Sequence, residues 1–209
     1  MFAKANLVWL PSMSSITELM PQSFTDCGMG HVVLVGDCKD HAVHTQSGSI
    51  VSVADQHSSK SGASVAIGLA WCTPNGFVAC AADLALGRSS EQELCKACGE
   101  LVFKGIPMQY ALCYDRGVAK LRLWLPNLNQ VLTPCFIKQA ARFTIEQGIR
   151  NRGVTCNRYI VEVLFARNAM WRFLNGEIKH RDFHLLNDVW WWALGFQNLV
   201  CRPLKPPAK

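Results

Sequence analysis

Charged residues, long apolar runs and a targeting leader are all scarce or absent in this chain. Only 17% of its 209 residues are charged, whereas 50% are hydrophobic. This balance argues against disorder and favours a protein that covers much of its surface with partners. No run of about 18 apolar residues occurs and no charged-then-apolar leader precedes Pro11, so we expect a soluble protein of a reducing compartment. The 10 cysteines are then expected to be free thiols or metal ligands before disulfides.

The motifs of common enzyme chemistry are missing as well. The chain has no phosphate-binding loop, no glycine-rich dinucleotide turn, no nucleophile elbow and no HExxH. A cysteine nucleophile with a histidine base can be assembled, for instance Cys72 with His31, but such pairs are expected by chance among 10 cysteines and 6 histidines. The sequence therefore favours a binding protein without enzymatic activity.

Charge is divided unevenly along the chain. We predict one globular domain over residues 1–200 and an extended basic tail over 201–209. Residues 1–100 contain 5 Lys/Arg and 9 Asp/Glu, whereas residues 101–209 contain 16 and 6. A basic half is typical of proteins that bind acidic proteins or nucleic acid, although a solvated basic face explains it equally well. The alternative function is therefore nucleic-acid binding, with these candidate residues: Arg142, Arg150, Arg152 and Arg158.

Short β-branched segments predict the strands of a mixed sheet. HVVLVGDC (31–38) is typical of a buried strand, and the segment 48–72 predicts two strands around a polar loop. Residues 108–125 predict a hairpin, and RYIVEVLFA (158–166) predicts a further strand. Together with three or four helices, about six short strands define an α+β fold in a single compact domain.

Three helices are predicted, two of them from the residues at their ends. Ser90 and Glu93 form a capping box that starts a helix over 90–104. Thr133 as N-cap and Pro134 at the first helical position predict a helix over 133–150. The last predicted helix covers 182–196.

Four of the cysteines lie in one segment, residues 71–102. A Pro-Asn-Gly turn separates Cys72 from Cys80, so a hairpin could bring both thiols to one side. Cys95 and Cys98 lie three residues apart on the following helix, which lets both sulfurs reach one metal ion. The sequence leaves zinc ligation by these four thiols, their burial in the core, and a redox role for the helical pair as alternatives.

Three successive tryptophans occupy the last predicted helix. Consecutive side chains on a helix point about 100° apart, so three in a row cannot all face one core. We predict that Trp190 packs inward with Leu186 and Ala193. Trp191 and Trp192 are then the candidates for an exposed partner contact, because tryptophan is enriched at binding hot spots.

Four segments resemble the adenovirus early-region-four thirty-four-kilodalton protein family, in the order in which that family has them. They are LVWLPSMSSITELM (7–20), WCTPNGFVACAADLA (71–85), MQYALCYDRGVAKLRLW (108–124) and VLTPCFIKQAARF (131–143). The third is similar to a family hairpin whose second strand ends in Leu-Arg-Leu-Trp. The last 60 residues match little, and the resemblance is that of a distant member.

This resemblance implies an adaptor of a ubiquitin ligase. Members recruit a cellular cullin with elongin B/C and, with a second viral early protein, present host antiviral or DNA-damage-response proteins for degradation. The implied location is the nucleus of the infected cell, with some protein in the cytoplasm.

The resemblance also implies that elongin C is bound through a short helical box. Such a box needs an aliphatic residue, a small residue four positions on and an aliphatic residue eight positions on, so that one helix face enters an apolar groove. A core-facing stripe produces the same pattern. Two segments fit: the first box is Val78, Ala82 and Leu86, and the second box is Leu94, Cys98 and Val102.

Overall fold

Seven strands form one mixed sheet in the structure, a computed structural model that describes residues 7–45, 54–58, 60–103, 106–115, 130–135 and 142–203. The predicted α+β class and the single compact domain are confirmed. The strands are β1 (Val32–Ala42), β2 (His57–Ser58), β3 (Ala63–Cys72), β4 (Val78–Ala81), β5 (Ala85–Leu86), β6 (Ala111–Cys113) and β7 (Gln130–Leu132).

The two long strands, β1 and β3, lie at the centre of this sheet. They pair antiparallel, with Val35 opposite Cys72 and Ala42 opposite Val65. On one side, β1 is followed by β6 and β7, both parallel to it. On the other side, β2, β5 and β4 pair with successive parts of β3. The β-branched run at the start of β1 suits this central position, because such side chains pack well on a pleated surface.

Helices cover both faces of the sheet. They are α1 (Met13–Glu18), α2 (Gln22–Asp26), α3 (Glu91–Val102), α4 (Ile145–Asn168), α5 (Arg172–Asn175), a 3-10 helix (His180–Leu185) and α6 (Leu186–Val200). The first apolar cluster joins Val35 and Cys72 of the sheet to α4 and α6. The second cluster joins Leu34 and Trp71 to α3 on the opposite face. Leu34 and its neighbour Val35 thus serve different clusters, as do Trp71 and Cys72, because side chains alternate along a strand.

Several local predictions are confirmed. The strand predicted at 31–38 is the first part of β1. The turn between Cys72 and Cys80 joins β3 to β4, with Gly76 at a φ of 88°. At the start of α3, the Ser90 N–H donates to Glu93 Oε2 at 2.8 Å and the Glu93 N–H donates to Ser90 Oγ at 3.2 Å. These are the two bonds of the predicted capping box.

Two predictions for the later part of the chain are wrong. Residues 158–166 are helical within α4 and do not form a strand. The helix also begins at Ile145, where Thr144 and Gln147 form the capping box, and not at Thr133. The apolar run misled because a short β-branched segment has no periodicity that separates a strand from a buried helix.

Some predictions fall outside the described residues. They include the second strand of the hairpin predicted at 108–125, which lies within residues 116–129. Residues 136–141 of the helix predicted at 133–150 and residues 204–209 of the tail lie outside as well.

Candidate partner-binding face

The inward face of α6 holds this helix against the sheet. Leu186, Trp190 and Leu194 recur at four-residue intervals and are buried, and Ala193 lies beside them. The Trp190 indole N–H donates to the carbonyl oxygen of Ala82 at 2.9 Å, so its polar atom is satisfied within the core. The prediction that Trp190 packs inward is confirmed.

The amide side chains of α6 also point into the protein. Asn187 Oδ1 accepts from the Leu84 N–H at 2.7 Å. Asn198 Oδ1 accepts from the Val78 N–H at 2.8 Å, while its Nδ2 donates to the carbonyls of Val78 at 2.9 Å and Leu7 at 2.7 Å. Gln197 donates to Asn168 of α4. These amides therefore fix the helix to its neighbours through hydrogen bonds within the protein.

From Trp192 onward the outward face of α6 is apolar, although this is the side of a surface helix that is usually polar. Trp192, Phe196 and Leu199 follow one another at the four- and three-residue spacing of a single helix face, and they are 44%, 42% and 63% exposed. The Phe196 ring meets Trp171 edge-on at 5.7 Å between centroids. A surface helix with apolar residues on its outward as well as its inward side is expected to be covered on both sides. We call Trp192, Phe196 and Leu199 the α6 outer face.

Of the two tryptophans predicted to contact partners, only Trp192 belongs to this face. Trp191 is 7% exposed, and its indole N–H donates to Asp83 Oδ1 at 2.5 Å. Trp192 is exposed because consecutive side chains on a helix point about 100° apart. Phe196 and Leu199 were not among the sequence candidates, but their positions four and seven residues after Trp192 carry the signal that finds them.

The first predicted box does not form a helix. Val78 lies in β4, Leu86 lies in β5, and Ala82 follows β4 directly. Val78 and Ala82 are buried, so they pack in the core while Leu86 alone is exposed. The box was inferred from a spacing of four residues, but in an extended chain such residues do not form a helical ridge.

The second predicted box lies on a real helix, with its first two residues turned inward. Leu94 and Cys98 are buried in the second cluster, against the face of the sheet that carries Trp71. The side chain of Val102 lies outside the described residues. In this fold Leu94 and Cys98 therefore form a core-facing stripe.

The four cysteines predicted as zinc ligands are divided between the two faces of the sheet. Cys72 belongs to the first cluster, whereas Cys80, Cys95 and Cys98 belong to the second. The prediction that the hairpin brings Cys72 and Cys80 to one side is wrong, because Cys80 pairs with Trp71, whose side chain faces away from Cys72. Among the described residues, no group of three or more His, Cys, Asp or Glu is placed to hold a metal ion. The four cysteines therefore do not fit one zinc site.

Burial also keeps the thiols of this region protonated. It raises the pKa of Cys95 to about 12 and raises that of Cys72 still further. Cys38, whose pKa is also raised by burial, lies 3.2 Å from the Tyr114 hydroxyl. Since the thiolate is the reactive form, Cys72 is a poor nucleophile, contrary to the pairing with His31 considered from the sequence.

The four arginines of the nucleic-acid alternative do not share one surface. Arg158 Nη2 pairs with Asp37 Oδ2 at 2.6 Å, and its Nη1 lies 3.6 Å from Asp115 Oδ1, so this side chain is committed within the fold. Arg150 and Arg152 are exposed on α4 but point about 160° apart, and Arg142 precedes the helix.

In the part of the chain that the structure describes, no helix is long and apolar enough to cross a membrane. No protein-family model matches the chain, and no curated protein and no solved structure matches it either.

Proposed function

We propose that this protein is a non-enzymatic substrate adaptor that recruits a host cullin–elongin B/C ubiquitin ligase. Its substrates would be host antiviral or DNA-damage-response proteins, and its site of action would be the nucleus of the infected cell. The observation that carries the proposal is the α6 outer face. A helix whose amides point inward and whose aromatic residues point outward is built to be covered by another protein.

The docking mode that suits this face is a helix laid into an apolar groove. Such recognition uses anchor residues at i, i+4 and i+7, which Trp192, Phe196 and Leu199 provide. A buried anchor of this size contributes about 2 kcal/mol or more to binding, and tryptophan is the residue type that contributes most often. The proposal thus moves the ligase contact from the two predicted boxes, whose inward residues support the core, to α6.

A binding experiment with purified elongin B/C and cullin tests this function. We expect the wild-type chain to bind the complex, and Trp192→Ala or Phe196→Ala to raise the Kd by about 30-fold or more, since each truncation removes an anchor worth about 2 kcal/mol. Leu19→Ala is the matched control, because Leu19 is also an exposed apolar residue but lies outside α6.

The outcomes separate the function from its location. If the wild-type chain does not bind the ligase complex, the adaptor function is rejected. If the wild-type chain binds and both α6 variants bind with the same Kd as the wild-type chain, the assignment to the α6 outer face is rejected. A fold check by urea unfolding accompanies each variant, and we expect small changes because the substituted side chains are half exposed.

A further inference from the structure

Helix α4 carries a second apolar face, made of residues that do not belong to the first cluster. Its residues follow one another at alternating intervals of four and three, the heptad spacing of a coiled coil. They are Ile145, Ile149, Cys156, Tyr159, Val163 and Ala166. Arg152 occupies the one remaining position. We call these seven residues the α4 seam, and from residue 145 to residue 166 it extends over three heptads.

The α4 seam contributes little to the core of the protein. Ile145 and Ile149 are 84% and 63% exposed, and Cys156, Tyr159 and Ala166 are exposed as well. The core is instead served by the inward face of the same helix, which includes Val154, Val161 and Leu164. α4 has 24 residues and is therefore about 36 Å long. An exposed apolar stripe of this length is expected to be covered by another helix.

The charges beside the α4 seam indicate which helix that is. Glu146 in the first turn and Arg167 in the last turn lie 21 residues apart and so occupy the same heptad position, on one flank of the seam. When two copies of such a helix pack antiparallel, this flank meets its own equivalent with the ends exchanged. Glu146 of each copy then lies beside Arg167 of the other. The dipoles of the two helices also point in opposite directions, which is the favourable arrangement for neighbouring helices.

The position of Arg152 argues against the parallel arrangement. In a parallel pair in register, Arg152 would face the same residue of the second copy, and two like charges would meet within the seam. In the antiparallel pair it faces Val163 of the second copy. Its aliphatic stem can then pack along the seam while the guanidinium reaches solvent.

We propose that two copies of this chain associate through the α4 seam as an antiparallel helix pair. The two-fold axis passes beside Cys156, because Cys156 faces Tyr159 of the second copy when Arg152 faces Val163. The two Cys156 residues are then offset along the helix axis by about 4.5 Å, less than one turn. This inference goes beyond the proposed function and does not depend on it, since the α4 seam and the α6 outer face share no residue.

Sedimentation velocity of the full chain at micromolar concentrations tests the association. We expect a dimer for the wild-type chain, and Ile149→Glu is expected to weaken it by at least about 30-fold, because it removes an apolar anchor and places a charge in the seam. Leu19→Glu, which places the same charge at another exposed leucine, is expected to remain dimeric. A monomeric wild-type chain overturns the proposal and leaves the seam to a helix of another protein. An Ile149→Glu variant that dimerises like the wild-type chain overturns it as well.

Charge reversal and cross-linking test the orientation. Glu146→Lys and Arg167→Glu should each weaken the dimer, whereas the double variant should restore it; a double variant weaker than either single one contradicts the antiparallel register. A short bismaleimide should join two chains through Cys156. Cross-linking is expected to survive Cys27→Ser, a change at the other exposed cysteine, and to disappear in Cys156→Ser. Cross-linking that persists in Cys156→Ser contradicts the position of the axis.

Discussion

Gly36 lies directly across the ladder between β1 and β3 from Trp71, so Gly36→Ala tests the packing of the second cluster. A Cβ atom at residue 36 would lie 2.4 Å from Cε3 and 2.5 Å from Cδ2 of the Trp71 indole. The indole has little room to move away. It is fully buried, and the rings of Phe103 and Tyr114 each lie 5.1 Å from it between centroids.

The size of the effect follows from two opposing terms. Adding a methyl group to a tightly packed core destabilises the protein by about 1–3 kcal/mol. Because the surroundings of Trp71 are closely packed, we expect a destabilisation near the upper end of this range. Replacing glycine lowers the entropy of the unfolded chain and returns about 0.4–1 kcal/mol. We therefore expect Gly36→Ala to lower the free energy of unfolding by about 2 kcal/mol, which at this chain length lowers Tm by about 4–8 °C.

Urea unfolding followed by tryptophan fluorescence measures this change, and the m-value should stay constant while the midpoint falls. Gly148→Ala is the control, because a Cβ there meets nothing within 4 Å and the site lies within a helix, α4. It should raise the free energy of unfolding by about 0.5–1 kcal/mol. A Gly36→Ala variant at least as stable as the wild-type chain would refute the packing argument.

Two further predictions concern buried ionisable groups. His41 is buried, with its Nδ1 3.0 Å from the Leu174 carbonyl oxygen. Because burial lowers the pKa of His41, the unfolded chain takes up a proton at a higher pH than the folded chain does. The free energy of unfolding should therefore decrease as pH falls below about 6.5, by up to about 1.4 kcal/mol per pH unit. This part of the loss should be absent in His41→Gln but present in a His44→Gln control. If urea unfolding at pH 7.5 and 5.5 shows the same loss of stability for His41→Gln as for the wild-type chain, the prediction is contradicted. Arg158→Met should cost about 2 kcal/mol at pH 7, because it leaves the Asp37 carboxylate half-buried without its closest cation. Burial already raises the pKa of Asp37, and loss of the arginine raises it further. The loss of stability in Arg158→Met should therefore become smaller as pH falls and Asp37 is protonated. A loss that is constant between pH 7 and pH 4 would show that the Arg158–Asp37 ion pair is not its source.

Features that depend on neighbouring residues were predictable from the sequence. The capping box at Ser90 and Glu93 marks the start of α3 because its bonds connect residues only three apart. That Trp190 packs inward while its two neighbours cannot both do so follows from the turn of the helix alone. The strand at 31–38 was recognisable because its β-branched residues are bounded by turn-forming ones.

Features that depend on distant contacts were not predictable. The apolar residues of 158–166 suit a strand locally, but within α4 Ile160, Val161 and Leu164 pack against the sheet, and this burial outweighs the weak local preference. The same limit applies to the cysteines. Spacing can bring Cys72 and Cys80 near each other along a hairpin, but the ladder with Trp71 places their side chains on opposite faces.

By itself, the sequence determined that this protein has more apolar surface than one core requires, where α3 begins, and which residues of a helix share a face. It did not determine which face of α4 meets the sheet or which of Trp191 and Trp192 stays exposed on α6, because the residues concerned are apolar and burial of either set is favourable. The tertiary structure decides this through specific contacts. Asn187 and Asn198 bond the backbone beside and within β4, and Gly153 lets α4 approach Cys27, where an added Cβ would lie 3.2 Å from the Cys27 Cβ. The α6 outer face and the α4 seam remain on the surface for that reason.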